Sequence, residues 1–323
     1  MSDGAGTPPL ARAQAWRDAS ARIPRLEARL LLEHVCAISH AELLTRPDTP
    51  LTPEEAAAYA ALVARRAAGE PLAYLTGHAP FRGLDLTVTP DVLIPRDDTE
   101  VLVDRALQAI AVWPQGRTSF SEGAAANPAP VLDLQAAPPS PPPDQPLQVL
   151  DLGTGSGAIA LALAHEAGPA VAVTAVDRSP AALAVAESNA RRLGLAVRFV
   201  LSDWFSALAG ERFHLIAGNP PYVAEGDPHL EGDGLPFEPR GALTDGVAGG
   251  DGGACLRAIV AAAPAHLHPG GWLLLEHGYD QGPLCRDLLA AAGFAQVATW
   301  TDLAGLDRVS GGVWAGGGGS TAA

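Results

Sequence analysis

Leu147-Gln148-Val149-Leu150-Asp151-Leu152 runs directly into Gly153-Thr154-Gly155-Ser156-Gly157, and this stretch decides the fold. The first six residues are mostly apolar and read as a strand. The glycines allow a tight turn and let a ligand approach main-chain N–H groups where the next helix, read over Ser156 to Glu166, begins. Read as Gly153-x-Gly155-x-x-Ala158, the loop also fits the degenerate dinucleotide fingerprint, so nicotinamide cofactors have to be weighed.

Beyond the loop, strands and helices alternate. Strands are predicted at Ala170 to Val176, Ala196 to Leu201, Phe213 to Gly218, Gly271 to His277 and from Phe294, with helices at Pro180 to Leu193, Gly252 to Ala263 and Gln281 to Ala292. Such alternation predicts an α/β domain with a doubly wound, Rossmann-like parallel sheet covered by helices on both faces. Asp177 ends the second strand, 20 residues after Gly157, where a carboxylate can accept from ribose hydroxyls. Ser202-Asp203-Trp204 ends the third strand, and the Trp204 ring offers a stacking face for a base.

The fourth strand ends in Gly218-Asn219-Pro220-Pro221-Tyr222. Two consecutive prolines cannot donate to a ladder, so the strand stops at Asn219 and the Pro220 carbonyl has no ladder partner. The Asn219 carboxamide both accepts and donates. Two acceptors beside the aromatic face of Tyr222 suit a planar group bearing an NH₂. Hydride transfer has no evident need for such an amide clamp, whereas group transfer does.

Upstream, residues 8–70 are rich in Ala, Leu and Arg and read as packed helices, with Thr52-Pro53-Glu54-Glu55 as a capping box opening one of them. At Phe81 the period changes, and Leu84, Leu86 and Val88 alternate with polar residues as in a half-buried strand. Pro90-Asp91 then reads as a turn into Val92-Leu93-Ile94. The expected organisation is a helical substrate-docking domain over 1–80, a β-hairpin linker over 81–95, and a main domain over 96–315. Residues 114–146 hold 9 prolines among 33 residues and read as a disordered insertion, with a flexible tail over 316–323. Asp97, Asp98 and Glu100 precede an amphipathic run and read as acids in a first helical turn.

The chain carries 21 basic against 36 acidic residues, net -15, and all of its basic residues are Arg. So acidic a protein without a basic stripe is a poor partner for a polyphosphate backbone, and no direct nucleic-acid contact is expected. Residues 1–80 hold 8 Arg and 9 acids, so the acidic excess lies almost wholly downstream. Met1 to Pro9 is small and polar, which argues against secretion or membrane insertion and for a cytoplasmic protein. Cys36, Cys255 and Cys285 are scattered and read as core fillers, and no metal-ligand cluster is evident.

Taken together, the glycine loop, the strand-end acid and Asn-Pro-Pro-Tyr resemble the S-adenosylmethionine methyltransferases that act on planar NH₂ groups. Tyr74-Leu75-Thr76-Gly77, Leu93-Ile94-Pro95-Arg96, Leu201-Ser202-Asp203-Trp204-Phe205, Phe237-Glu238-Pro239-Arg240-Gly241-Ala242-Leu243 and Leu275-Glu276-His277-Gly278 narrow the resemblance to the PrmC/HemK family, the peptide chain release factor N5-glutamine methyltransferases. It extends from about Leu26 to Val313, apart from the insertion. It implies S-adenosylmethionine as cofactor, bound by Gly153, Thr154, Gly155, Ser156, Gly157, Asp177, Trp204 and Asn219. The implied substrate is the glutamine of the Gly-Gly-Gln loop in class I release factors, held by Asn219, Pro220, Pro221 and Tyr222. Asn219, Pro220 and Tyr222 would carry the chemistry, with no metal. Asp97 departs from the proline usual at its position, and the 114–146 insertion is longer than usual. The alternatives are methylation of a ribosomal-protein glutamine, adenine N6-methylation, which the charge disfavours, and non-enzymatic S-adenosylmethionine binding.

Overall fold

The computed structural model describes residues 10–113, 145–232 and 234–316, so most of the proline-rich insertion and the last seven residues lie outside the described residues. The described chain divides into two units, one up to His78 together with Glu231–Phe237, the other from Ala79 to Leu230 and from Glu238 onward. The return of Glu231–Phe237 to the first unit has no counterpart in the sequence-based boundaries.

The first unit holds α1 (Arg12–Ala19), α2 (Arg25–Cys36), α3 (His40–Thr45), α4 (Pro53–Ala67) and α5 (Leu72–Thr76). The Thr52 hydroxyl accepts from Glu55 N at 3.1 Å and Glu55 Oε2 accepts from Thr52 N at 2.8 Å, so the predicted capping box opens α4. Leu31, Leu32, Leu43, Tyr59 and Val63 form its core, and the Tyr59 hydroxyl donates to the Ala28 carbonyl at 2.8 Å.

A hairpin begins the second unit, but not where the sequence placed it. β1 (His78–Phe81) and β2 (Leu84–Thr87) reverse at Arg82-Gly83, where both residues have positive φ, 46° and 75°. Two left-handed residues give the twist that a two-residue hairpin needs. Leu84 and Leu86 are buried as expected, whereas Val92-Leu93-Ile94 is no strand. The Ile94 N–H donates instead to Glu238 Oε2 at 3.0 Å, so a side chain takes the place of a ladder.

After α6 (Thr99–Val112) come β3 (Leu147–Leu152), α7 (Ala158–Ala167), β4 (Val171–Asp177), α8 (Pro180–Leu193), β5 (Val197–Leu201) and β6 (Phe213–Gly218). β7 (Val223–Glu225), α9 (Arg240–Leu243), β8 (Thr244–Ala248), α10 (Ala254–Ala262), β9 (Leu267–Glu276), α11 (Gly282–Ala291), β10 (Phe294–Thr301) and β11 (Asp307–Trp314) follow. Seven strands form one sheet in the order β10-β11-β9-β6-β3-β4-β5, with β11 alone antiparallel to its neighbours. Alternation along the strands feeds two cores. Val149, Ala175, Leu215 and Leu274 face α6 and α7, while Leu150, Val176, Ile216 and Leu273 face α10 and α11, so the sheet is doubly wound. The pair β7 and β8, which the sequence reading missed, forms a separate two-stranded sheet.

Asn189 on α8 is fully buried and ties the hairpin to the glycine loop. Its Oδ1 accepts from Thr87 N at 2.8 Å, and its Nδ2 donates to Thr87 O at 2.9 Å and Ser156 O at 3.0 Å. Asn189→Leu takes the partner from the buried Ser156 carbonyl and from the half-buried N–H and C=O of Thr87. It is expected to lower the unfolding free energy by at least about 1–3 kcal/mol, measured as a reduced urea midpoint at unchanged m-value.

Candidate functional site

At the carboxyl ends of the central strands lies a cavity of about 270 Å³. Gly153, Thr154, Gly155, Ser156, Asp177, Trp204, Asn219 and Pro221 all line it. Gly157, Pro220 and Tyr222 do not belong to the lining.

Main-chain bonds pin the glycine loop. Gly153 N and Thr154 N both donate to Val176 O at 2.9 Å, and Gly157 N donates to Thr154 O at 2.8 Å. Gly155 has φ of 55°, and a Cβ built there would meet no atom within 4 Å, so its backbone stands open to the cavity. Gly157 serves packing, because a Cβ there would come within 2.9 Å of the Leu161 side chain. Asp177 braces the loop from β4: Oδ2 accepts from Gly155 N at 2.9 Å and Oδ1 from Ser179 N at 2.9 Å. Each oxygen keeps a lone pair for a further donor.

Beneath the loop, Asp151 is fully buried. Its Oδ2 accepts from the Thr154 hydroxyl at 2.6 Å and from Ala160 N at 3.2 Å, while Oδ1 has no partner among the described residues. Burial pushes its carboxyl up to about 7.

Trp204 is a bulky residue with φ of 47°, a conformation that costs on the order of 1–3 kcal/mol and persists only where its surroundings impose it. The Ser202 hydroxyl imposes it by donating to Trp204 O at 2.8 Å while accepting from Ala207 N at 3.0 Å. The Trp204 ring then lies over Gly153, 3.5 Å from where a Cβ would stand.

Asn219 leaves the sheet beside this loop. Its Nδ2 donates to the buried Thr99 hydroxyl at 3.3 Å, which leaves Oδ1 to accept from elsewhere. The Tyr222 hydroxyl donates to Glu276 Oε1 at 3.4 Å, and Gln281 Nε2 donates to Tyr222 O at 3.0 Å. Burial raises the Tyr222 phenol above its usual range.

Several contributors were given no role in the site from the sequence. Thr99, Arg96, Arg178 and Asp245 line the cavity. Glu238, nearly inaccessible, pairs with Arg96 besides accepting from Ile94 N, and so joins Leu93-Ile94-Pro95-Arg96 to Phe237-Glu238-Pro239-Arg240. Asp98 stands at the α6 N-cap without capping it, because its carboxylate pairs with Arg308 at 3.2 Å. Asp97 is exposed. Cys255 lines the cavity and is no core filler, whereas Cys285 is buried in the core. Four lining aspartates, Asp91, Asp177, Asp203 and Asp245, face two arginines, one of them held by Glu238, so the wall is acidic.

The PrmC N-terminal domain family matches residues 13–77, and the Methyltransferase small domain family matches residues 140–231. A Burkholderia pseudomallei protein named release factor glutamine methyltransferase is 50% identical over 294 residues, covering 89% of this chain and 91% of its own length. Proteins of the same name from Bordetella pertussis and Escherichia coli K12 are 49% and 41% identical, covering 90% and 89% of this chain and 95% and 91% of their own lengths.

The buried Asp151 makes stability pH-dependent. A carboxyl whose folded value is raised is neutral in the fold at low pH, and its stabilisation is lost as pH rises through about 7. Asp151→Asn removes that titration. The stability advantage of the wild type over the variant is therefore expected to be largest near pH 5 and to shrink toward pH 8, read from urea unfolding across that range.

Proposed function

The chain belongs to the release factor glutamine methyltransferase family, and on that premise we propose that it transfers a methyl group from S-adenosylmethionine to the side-chain amide nitrogen, N5, of the Gly-Gly-Gln glutamine of a class I peptide chain release factor. The observation that carries the reading is Asn219, fixed by Thr99 with Oδ1 free to accept, in the same cavity as the glycine loop, Asp177 and Trp204.

The residues fit the cofactor. Gly155 presents an open main chain, Asp177 keeps acceptor capacity for ribose hydroxyls, the Trp204 ring gives a flat face, and the acidic wall suits a cationic ligand. When bound, S-adenosylmethionine supplies an electrophilic methyl group. Gly153 to Ser156, Asp177 and Trp204 are assigned to holding it, with Gly157 packing the loop against α7.

A carboxamide nitrogen is a poor nucleophile because its lone pair is delocalised, as the amide rotation barrier of about 18–20 kcal/mol indicates. In this reading Asn219 Oδ1 and the Pro220 carbonyl accept the two N–H bonds of the substrate amide, and the resulting orientation turns the lone pair toward the methyl. Pro221 and Tyr222 complete the clamp, Pro221 on the cavity wall and Tyr222 held from behind by Glu276. Alignment of two bound reactants supplies roughly 7–11 kcal/mol, enough to make positioning the main term. A single glutamine side chain offers too little area to be selected among all others, so specificity requires a wider protein contact, on the order of 1,200–2,000 Å². We assign that docking to the helical N-terminal region, whose residues 1–80 hold 8 Arg against 9 acids.

Incubating the protein with a class I release factor and S-adenosylmethionine is expected to add one methyl group to the Gly-Gly-Gln peptide, read by tandem mass spectrometry. An unmodified glutamine under conditions of proven cofactor binding would reject the reading. Asp177→Ala is expected to weaken S-adenosylmethionine binding by about 1–3 kcal/mol in calorimetric titration, the cost of a lost buried acceptor.

A further inference from the structure

Gln281 stands at the N-cap of α11, is buried at 8% exposure, and its side chain makes no capping bond to the helix. It bridges three loops instead. Oε1 accepts from Gly278 N at 3.0 Å, in the turn after β9. Nε2 donates to Tyr222 O at 3.0 Å, at the end of Asn-Pro-Pro-Tyr, and to Asp251 O at 3.1 Å, in the loop before α10. These partners settle which way the amide points, because the N–H of Gly278 needs the oxygen and the two carbonyls need the two N–H bonds. Space around the Tyr222 carbonyl is tight as well: a Cβ on Gly252, whose φ is 72°, would stand 2.1 Å from that oxygen.

Asn219-Pro220-Pro221-Tyr222 has few main-chain donors of its own. Neither proline carries an N–H, and both have φ fixed at about -65°, so a displacement at Tyr222 passes through two stiff residues to the Pro220 carbonyl and Asn219. The sheet anchors one end, where Gly218 pairs with Leu152 and Leu275. At the other end the Tyr222 hydroxyl reaches Glu276 only at 3.4 Å, and the β7 pairing that follows shifts register between Val223 and Glu225. The Gln281 donation to the Tyr222 carbonyl is the bond of ordinary length there. We infer that Gln281 is a positioning residue for methyl transfer: by donating from Nε2 to the Tyr222 carbonyl it fixes the far end of Asn-Pro-Pro-Tyr, and with it the place where the Asn219 and Pro220 acceptors hold the substrate amide.

This rests on the methyl-transfer reading above, and the two ends of one amide separate it from a purely structural role. Gln281→Glu keeps the length of the side chain and an acceptor for Gly278 N, but sets an anionic oxygen against the Tyr222 and Asp251 carbonyls. Gln281→Met keeps the length and removes all three bonds. A residue that only secured the turn after β9 would tolerate the first change, whereas one that holds Tyr222 tolerates neither. Gly252→Ala crowds the same carbonyl without touching Gln281.

The test uses full-length protein, a class I release factor and S-adenosylmethionine. For the wild type, Gln281→Glu, Gln281→Met, Gly252→Ala and the Gln281→Met/Gly252→Ala double variant, it measures kcat, KM for the release factor, cofactor affinity by calorimetry, and amide hydrogen exchange without ligand. Gln281→Glu and Gln281→Met are each expected to lower kcat by up to about 100-fold, the scale of a misplaced reacting group, with KM and cofactor affinity kept. Exchange should quicken over residues 222–225 and stay unchanged over the glycine loop, 153–157. Gly252→Ala should give the same split, and the double variant should be no worse than the worse single one, because both act on one carbonyl. The two Gln281 variants decide the inference even where Gly252→Ala fails to fold. A Gln281→Glu variant that turns over like the wild type, an unchanged kcat in Gln281→Met, additive losses, or a loss of activity that comes with weakened cofactor binding and faster exchange over 153–157 would each overturn it. A wild type that leaves the release factor unmethylated would instead overturn the methyl-transfer reading, while unchanged exchange over 222–225 in Gln281→Met would overturn the hold on the loop whatever the activity.

Discussion

Parallel register between β3 and β6 sets Leu152 opposite Gly218, and the site depends on that pairing. Because both strands run out at the same level, the glycine loop that follows one and Asn219 that follows the other leave the sheet side by side. The approach is close enough to dictate residue type. A Cβ on Gly218 would come within 3.0 Å of the Leu152 carbonyl oxygen, so any larger residue would push the two strand ends apart. Pro220 and Pro221 then prevent the ladder from continuing, and the same register that joins the strands delivers two different functional loops to one cavity.

Buried acids hold the surroundings of that junction. Asp151 supports the glycine loop from below, Glu238 joins two segments of the cavity wall, and Glu276 backs the Asn-Pro-Pro-Tyr loop. Each takes its bonds from main-chain N–H groups, hydroxyls or a single arginine. Removing one such acceptor strands its donors in a low-dielectric interior, which is more costly than the net worth of the bonds themselves.

Much of this was legible in the sequence, for reasons that follow from period and backbone chemistry. The helix over Pro180–Leu193 and the strands Leu147–Leu152 and Phe213–Gly218 have the predicted bounds, because proline, glycine and apolar periodicity mark them locally. The glycine loop, Asp177, Trp204 and Asn219 gather in one cavity because all stand at strand ends, where an alternating fold must bring them. The hairpin was misplaced because Pro90-Asp91 carries a strong turn signal, while the true reversal at Arg82-Gly83 relies on a left-handed arginine that no sequence pattern announces. Asp98 looked like a helix-capping acid and became an arginine partner for an equally non-local reason, the arrival of Arg308 from a strand more than 200 residues away. Glu238 and Glu276 carried no chemical signal of their own, since their meaning comes from burial.

The cavity wall is assembled from residues that begin at Asp91 and end at Cys255, with the Glu238 contacts spanning 142 and 144 residues of chain. No contiguous fragment shorter than residues 91–255 contains the complete lining. A ligand for this cavity therefore finds its complete binding surface only once that whole span is folded, and its binding energy couples to the folding of that span. At a hundredfold excess over Kd such a ligand stabilises the fold by about 2.7 kcal/mol. Cellular cofactor supply would in this way act on how long the folded protein persists, independently of how fast it turns over.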